Sequence, residues 1–223
     1  MDALGQTLIR PDANGLPSGR DEASIRSLIH PNPVPGVTDP MRLTGIHHIT
    51  GITDDLIRFG EFLESALGLR LVKKTLNQDD GETEHYFWAH YDGEQIGSRS
   101  AFTLFGWPGS SRRARPGAGQ THHIAFRTSS EEEQEAWRDH LLDLGIQVTP
   151  VQDRKYFRSI YFHAPDGLLM EIATDGPGFT VDEPGGELGR ELQLPTWLEE
   201  DRAAIRERLA SLEEAGRDRK SVV

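Results

Sequence analysis

Two short segments of the chain repeat each other and limit the folds that it can adopt. The first reads Thr-Gly-Ile-His-His-Ile-Thr over residues 44–50, and the second reads Gln-Thr-His-His-Ile-Ala-Phe over residues 120–126. Each places adjacent histidines in an apolar run typical of a strand. Each is followed by a helical pattern that stops at a glycine, Gly68 or Gly145. A repeat of this kind predicts a duplicated structural unit.

The first copy predicts the order strand, helix, strand, strand, strand. Apolar residues recur at helical spacing from Leu56 to Leu67, with Thr53 or Asp54 as the expected N-cap and Gly68 as the left-handed stop. The strands are expected at residues 45–52, 69–76, 85–91 and 100–107.

The second copy predicts the same order. Ser130 and Glu133 form a capping box that begins the helix, and Gly145 ends it. The strands are expected at residues 121–127, from 146 onward, at 157–163 and at 168–174. The sequence therefore predicts an α+β fold of two βαβββ modules, residues 43–109 and 120–178, whose strands close around one cavity.

The remaining segments are expected to connect or flank the modules. Residues 1–42 contain many prolines and glycines and predict an N-terminal arm, and residues 110–119 predict a polar linker. Residues 179–223 predict a C-terminal extension with a helix from Thr196 to about Leu212. We expect no metal ligand from the arm or from the extension.

Strand alternation selects three candidate metal ligands. Neighbouring strand residues face opposite sides of a sheet, so His48 and His123 should point into the cavity. His47 and His122 should then lie on the core-packing face. Glu171 follows Met170 in an apolar strand, where an unpaired carboxylate is costly.

Each of these residues also has an ordinary structural explanation. A single strand histidine is usually a hydrogen-bonded core residue, and a single strand glutamate is often an edge charge. Two histidine pairs at matched places in a repeat favour metal binding instead. Two histidines and one carboxylate make the facial triad typical of non-haem iron sites.

Composition excludes several classes of function. The 223-residue chain has no cysteine, which excludes thiol catalysis and cysteine-ligated zinc. Its formal net charge of −12 is the opposite of a nucleic-acid-binding surface. No apolar run approaches the ~18 residues of a membrane span, and the first residues do not form a signal peptide. We expect a cytoplasmic protein with no nucleic-acid or membrane partner.

The pattern resembles the vicinal oxygen chelate superfamily, which includes glyoxalase I, extradiol dioxygenases and resistance proteins. The resemblance is strongest to ring-cleaving dioxygenases of the hydroquinone 1,2-dioxygenase type, although those usually carry four modules and this chain has two. It implies a curved mixed sheet around a metal cavity. The blocks that carry it are residues 45–50, 67–74, 105–109, 122–126 and 161–178.

The resemblance also implies a site and a reaction. Its iron-binding positions fall on His48, His123 and Glu171, with Fe(II) as the metal and Mn(II) as the alternative. Its other catalytic positions fall on Arg154, Tyr161 and His122. Tyr161 would donate a hydrogen bond to a substrate or oxygen atom, Arg154 would favour an ionised phenol, and His122 would shuttle a proton. The implied substrates are a dihydroxylated aromatic (hydroquinone or catechol type) and O2.

Two other functions and two assemblies stay open. A glyoxalase-like isomerase or lyase would need a further ligand from residues 100–105, which contain no carboxylate or imidazole. A metal-free binding protein of the resistance type would need none of the three ligands. The chain is compatible with a monomer or a homodimer.

Overall fold

The structure is a computed structural model that describes residues 45–97, 100–110, 113–115 and 117–209. The predicted N-terminal arm and the last residues of the predicted C-terminal helix lie outside these ranges. The described residues from His47 onward belong to one compact unit, which contains every element below. None of the helices in the described ranges is long and apolar enough to cross a membrane.

The first module contains one sheet and one helix. Its sheet has the strand order β1-β4-β3-β2, with β1 parallel to β4 and the other neighbours antiparallel. The elements are β1 (His48–Thr53), α1 (Leu56–Leu67), β2 (Arg70–Leu76), β3 (Glu84–Ala89) and β4 (Ala101–Gly106).

The second module repeats this topology. Its sheet has the order β5-β8-β7-β6, with β5 parallel to β8. The elements are β5 (His123–Thr128), α2 (Glu131–Asp143), β6 (Gln152–Asp153), β7 (Arg158–His163) and β8 (Leu169–Thr174). The α+β class and the two βαβββ modules are confirmed.

One strand of the second module is shorter and later than the sequence predicts. The prediction of a strand from Ile146 onward is wrong, because β6 begins at Gln152 and has 2 residues. The intervening chain still contacts β7, since the Thr149 N–H donates to the Tyr161 carbonyl at 3.0 Å. Gly145 adopts the expected left-handed conformation, with φ of 75°.

The helix ends follow local chemistry, with two changes from expectation. Asp55, not Thr53 or Asp54, caps α1, and its carboxylate accepts from the Arg58 N–H at 2.9 Å. Ser130 caps α2 as expected. The Glu133 carboxylate accepts a hydrogen bond from the Ser129 N–H at 3.1 Å. A capping box would use the N–H of the N-cap residue Ser130 instead.

The two modules share one hydrophobic core on their helical sides. The ring of Phe59 on α1 stacks on Phe102 of its own sheet, with centroids 6.0 Å apart. The ring of Phe62, on the same helix, lies 6.4 Å from Phe162 on β7 of the other sheet. Helix α1 therefore contacts the inner faces of both sheets.

A polar contact holds this packing in place. Asp166, in the turn before β8, accepts a hydrogen bond from the Thr53 hydroxyl at 2.6 Å and pairs with Arg58. Both partners lie at the junction of β1 and α1 in the first module. Among the described residues the two sheets share no strand pairing, and the expectation that their strands close around one cavity stays a prediction.

The C-terminal extension supports the turn between β6 and β7. Lys155, in that turn, has a left-handed backbone with φ of 71°. Its ammonium pairs with Asp182 and lies 3.4 Å from the Leu194 carbonyl oxygen. Tyr156 donates its hydroxyl to Asp182 at 3.2 Å. Farther along, Thr196–Asp201 is a 3₁₀ helix that continues as helix over residues 202–209.

We predict that Gly60→Ala destabilises the protein. Alanine is the better helix former by about 1 kcal/mol, so an unobstructed site would gain stability. A Cβ at Gly60 would lie 2.7 Å from Cζ2 of Trp88, and Trp88 is buried at 2% exposure. Overpacking of this kind costs about 1–3 kcal/mol, so the clash should outweigh the propensity gain. Urea unfolding measures the change in unfolding free energy, and Glu61→Ala, at an exposed position of the same helix, is the control. A Gly60→Ala variant more stable than wild type would contradict this packing.

A second prediction concerns the pH dependence of the extension. The Lys155 ammonium, and then the Tyr156 hydroxyl, lower the pKa of Asp182 through hydrogen bonds. The stabilisation by this carboxylate is therefore complete above the usual aspartate pKa of about 3.9 and is lost as pH falls through the lower folded-state pKa. Asp182→Asn should reduce the unfolding free energy at pH 7, and the difference from wild type should shrink below pH 4. Asp139→Asn, on the exposed side of α2, is the control; a difference that is constant with pH would contradict the ion pair.

Candidate metal centre

The second module buries a carboxylate beside a histidine. Glu171, in the middle of β8, is 2% exposed. Because β5 runs parallel to β8 with Ala125 opposite Glu171, His123 lies on the same face of the neighbouring strand. Its Nε2 is 2.8 Å from Oε2 of Glu171. The other carboxylate oxygen accepts a hydrogen bond from Ser159 on β7.

Tyr161 and Arg154 adjoin this pair. Tyr161 is opposite Glu171 on β7, and its ring is perpendicular to that of His123 with centroids 6.0 Å apart. The Arg154 Nε donates to the Tyr161 hydroxyl oxygen at 3.3 Å, and its Cζ lies 5.2 Å from the centre of the tyrosine ring.

The residues around Glu171 form one cluster, which we call the module 2 cluster. The structure thus brings together five of the six predicted site residues. Sequence reasoning missed Ser159, although it is two residues before Tyr161 and so shares its face. The members of the cluster are His122, His123, Arg154, Ser159, Tyr161 and Glu171.

Each candidate histidine ligand is held by the histidine before it. The Nδ1 atoms of His47 and His48 are 2.8 Å apart, and those of His122 and His123 are also 2.8 Å apart. His47 and His122 are exposed, so the expectation that they lie on the core-packing face is wrong. This contact engages Nδ1 and leaves Nε2 of His48 and of His123 as the nitrogen that can meet a ligand.

The first module has a smaller polar cluster on the matching face. Nε2 of His85 lies 3.0 Å from the Thr103 hydroxyl, which in turn donates to the Thr50 hydroxyl at 2.8 Å. Burial, and then the nearby charge of His48, lower the pKa of His85 and favour its neutral form. We call His48, Thr50, His85 and Thr103 the module 1 cluster. The sequence had not assigned a role to His85.

Strand register relates the two clusters position by position. Thr50 and Ala125 each lie two residues after the candidate histidine of their strand. Thr50 is paired with Thr103, and Ala125 is paired with Glu171. The position of Ser159 is that of His85, and the position of Tyr161 is that of Phe87. Module 2 therefore presents an imidazole and a carboxylate at these positions, whereas module 1 presents an imidazole and a threonine.

The structure does not bring His48 to the other two candidate ligands. Across the residues that it describes, no three His, Cys, Asp or Glu side chains are grouped so that they could hold a metal ion. The neighbours of His48 belong to its own module: its ring contacts those of His47 and Phe87, with centroids 5.0 and 6.4 Å away. The triad of His48, His123 and Glu171 therefore stays a prediction.

The pair in module 2 fits two neighbouring positions of a metal centre. Ligand atoms about 2.1 Å from an octahedral metal and at right angles lie about 3 Å apart. The Nε2–Oε2 separation of 2.8 Å between His123 and Glu171 is close to that spacing. The Ser159 hydroxyl and the His122 ring would orient the two ligands from behind, as outer residues commonly do in metal sites.

Curated relatives support the resemblance to ring-cleaving dioxygenases. MhqO of Bacillus subtilis, a candidate ring-cleaving dioxygenase, is 34% identical over 177 residues, which cover 79% of this chain and 53% of the relative. MhqA of the same organism, also a candidate ring-cleaving dioxygenase, is 43% identical over 101 residues, 45% of this chain and 32% of the relative. The chlorohydroquinone/hydroquinone 1,2-dioxygenase of Sphingobium indicum is 29% identical over 150 residues, 65% of this chain and 46% of the relative. The chain thus spans about half or less of the length of these relatives.

A solved structure and a family profile agree with the fold. The glyoxylase/bleomycin resistance protein/dioxygenase domain from Frankia sp. EAN1pec superimposes with a TM-score of 0.52 at 15% identity, over 60% of this chain and 99% of that domain. At this identity the likeness concerns the fold alone. The family profile matches residues 45–172, from the first histidine pair to the strand of Glu171. The chain therefore belongs to the glyoxalase/bleomycin resistance protein/dioxygenase superfamily.

Proposed function

We propose that the protein is a dioxygenase that uses O2 to open a dihydroxylated aromatic ring of the hydroquinone or catechol type, with Fe(II) held by His48, His123 and Glu171. The observation that carries the proposal is the buried Glu171 carboxylate, 2.8 Å from Nε2 of His123. The ring-cleaving names of the curated relatives support the reaction class.

The donor set supports the choice of metal. Two imidazoles and one carboxylate form the facial triad of non-haem Fe(II) oxygenases, and the same nitrogen and oxygen donors are compatible with Mn(II). The metal would supply open positions at which the substrate oxygen and O2 come together. A divalent ion bound by Nε2 of His123 and by the Glu171 carboxylate would compensate the charge of that buried carboxylate directly.

Tyr161 and Arg154 would bind and polarise the phenolic substrate. The Tyr161 oxygen accepts from Arg154, which leaves the tyrosine proton free to be donated elsewhere on the same face. A substrate oxygen above Glu171 would receive that proton in a hydrogen bond. The Arg154 guanidinium would favour the ionised form of the phenol, because an opposite charge nearby lowers the pKa of an acid.

His122 would fix the tautomer of His123. When Nε2 of His123 acts as a ligand, Nδ1 carries the proton and donates it to Nδ1 of His122. His122 then keeps a proton on its own Nε2. Because His122 is exposed, it can exchange that proton with solvent, which is the role of a proton shuttle.

The alternatives are less well supported by the geometry. A four-ligand isomerase or lyase needs a fourth ligand, yet Thr103 occupies the position in module 1 that matches Glu171. A metal-free binding protein leaves unexplained a 2%-exposed carboxylate partnered by a histidine and a serine.

Our third prediction tests the ligands and the reaction together. Glu171→Ala and His48→Ala should each lose bound iron and ring-cleaving activity, because each removes one of three ligands. His90→Ala, an exposed histidine outside both clusters, is the matched control and should keep both. Iron is quantified after anaerobic purification, and oxygen uptake is followed with a panel of hydroquinones and catechols.

The product distinguishes the proposal from its alternatives. A ring-cleaving dioxygenase incorporates both atoms of labelled O2 into the opened ring. Isomerisation of a thiohemiacetal without oxygen uptake by the iron-loaded protein would establish the isomerase function instead. Full occupancy of iron in Glu171→Ala would show that the metal lies elsewhere.

Our fourth prediction separates substrate chemistry from metal binding. Tyr161→Phe removes one hydroxyl and keeps the ring against His123. We expect turnover to fall by roughly 10²-fold while iron content stays unchanged, because the lost group acts on substrate. Tyr91→Phe, whose hydroxyl donates to the Gly93 carbonyl, is the control. Equal turnover of Tyr161→Phe and wild type on every active substrate would reduce Tyr161 to a packing residue.

A further inference from the structure

We propose that the C-terminal extension positions Arg154 in the substrate site, with Asp182 and Lys155 as the positioning residues. Residues 154–157, between β6 and β7, form a turn that we call the Arg154 turn. The extension would hold this turn, and the turn would hold the Arg154 guanidinium against Tyr161. The inference rests on the role that the proposed function gives to Arg154 and adds what keeps this side chain in place.

The guanidinium of Arg154 depends on its own backbone for its place. Arg154 is exposed and follows β6, a strand of only 2 residues. Within the part of the chain that the structure describes, its guanidinium contacts only Tyr161, at 3.3 Å from the hydroxyl oxygen and 5.2 Å from the ring centre. One long hydrogen bond fixes a flexible side chain poorly. The direction of the guanidinium is therefore set mainly by the turn that carries it.

The backbone of the Arg154 turn is strained at Lys155. With φ of 71°, Lys155 is the one non-glycine residue in the left-handed region among the residues that the structure describes. Glycine adopts this conformation without steric cost, whereas a lysine keeps it only where surrounding contacts enforce it. Inside the turn, the Lys155 N–H donates to the Asp153 carboxylate at 2.6 Å, and the Arg154 N–H donates to the Phe157 carbonyl at 2.9 Å. A lysine at a position suited to glycine indicates that its side chain makes contacts that glycine could not make.

The Lys155 side chain joins the turn to the extension. Its ammonium pairs with Asp182 and lies 3.4 Å from the carbonyl oxygen of the buried residue Leu194. The Asp182 carboxylate also accepts a hydrogen bond from the Tyr156 hydroxyl at 3.2 Å. The hydrogen bond to Asp182 raises the pKa of Lys155, which keeps the ammonium charged. The two side chains are 32% and 20% exposed, so water screens their attraction less than that of a fully exposed pair.

Aromatic and backbone contacts add to this attachment. The Gly178 N–H donates to the Tyr156 carbonyl at 2.8 Å. The ring of Phe179 lies 5.6 Å from the ring of Tyr156 and 6.3 Å from that of Phe157, measured between centroids. All three turn residues after Arg154 thus contact the segment that follows β8. The extension therefore fixes the chain directly beside the guanidinium.

Trypsin tests the attachment without any catalytic activity, because the turn contains two of its cleavage sites, after Arg154 and after Lys155. Cleavage of a folded protein requires local opening, so a turn held by the extension should be cut slowly. We expect Asp182→Asn to be cut there several-fold faster than wild type, with the fragments identified by mass spectrometry. Cleavage after the exposed Lys73 and Lys74 on β2 should keep its wild-type rate. Equal rates at the turn, or the same acceleration at every site, would overturn the attachment.

Glu187→Gln is the matched control variant. It removes the exposed ion pair of Glu187 with Arg190, which lies within the extension itself. Like Asp182→Asn, it replaces one carboxylate of the extension by an amide. The Arg154 turn should be cut at the wild-type rate in this variant. Acceleration equal to that of Asp182→Asn would show that any loss of charge in the extension opens the turn, and would overturn the role of Asp182.

A double-mutant cycle tests whether the attachment acts through Arg154. Asp182→Asn should lower kcat/KM for ring cleavage by about tenfold, since displacement of a positioned group by about 1 Å can cost up to about 10²-fold. Iron content should stay at the wild-type level. In an Arg154→Ala background, Asp182→Asn should have no further effect, because the group that it positions is already absent. A loss by the same factor in both backgrounds, or an unchanged kcat/KM in Asp182→Asn, would overturn the proposal.

Lys155→Gly repeats the cycle from the other partner of the ion pair. Glycine adopts φ of 71° without strain and carries no ammonium, so this variant tests the pair even if Asp182→Asn folds poorly. It should show the same loss of kcat/KM and the same dependence on Arg154, and a wild-type value would overturn the role of the pair. A wild-type protein that opens no ring would refute the proposed function and, with it, the role of Arg154. The trypsin result decides separately whether the extension holds the turn.

Discussion

The carboxylate of Glu171 is the constraint around which the second module is arranged. A 2%-exposed carboxylate requires partners, and the parallel pairing of β5 with β8 supplies one by placing His123 on the same face. The antiparallel strand β7 supplies Ser159 at one oxygen and Tyr161 directly opposite. The sheet topology thus converts three separate segments of sequence into one polar cluster.

Duplication explains why the chain offers two similar faces with different chemistry. In each module the backbone brings three positions together. They are the histidine that begins the first strand, a residue in the middle of the last strand, and the residue opposite it on the adjacent antiparallel strand. In module 1 these are His48, Thr103 and Phe87. Thr103 lies at the position that Glu171 has in module 2, so module 1 presents no carboxylate there. His85 lies within hydrogen-bonding distance of the Thr103 hydroxyl, and its lowered pKa favours the neutral imidazole.

Local patterns predicted the modules, the helix stop at Gly68 and the face of Glu171, because each depends on neighbouring residues and alternation. The packing of the modules was not predictable in the same way. It depends on Asp166 meeting Thr53 and Arg58 across more than a hundred residues, and no periodicity encodes such a contact. The exposure of His122 was missed because β5 begins at His123, two residues later than the predicted start at Thr121.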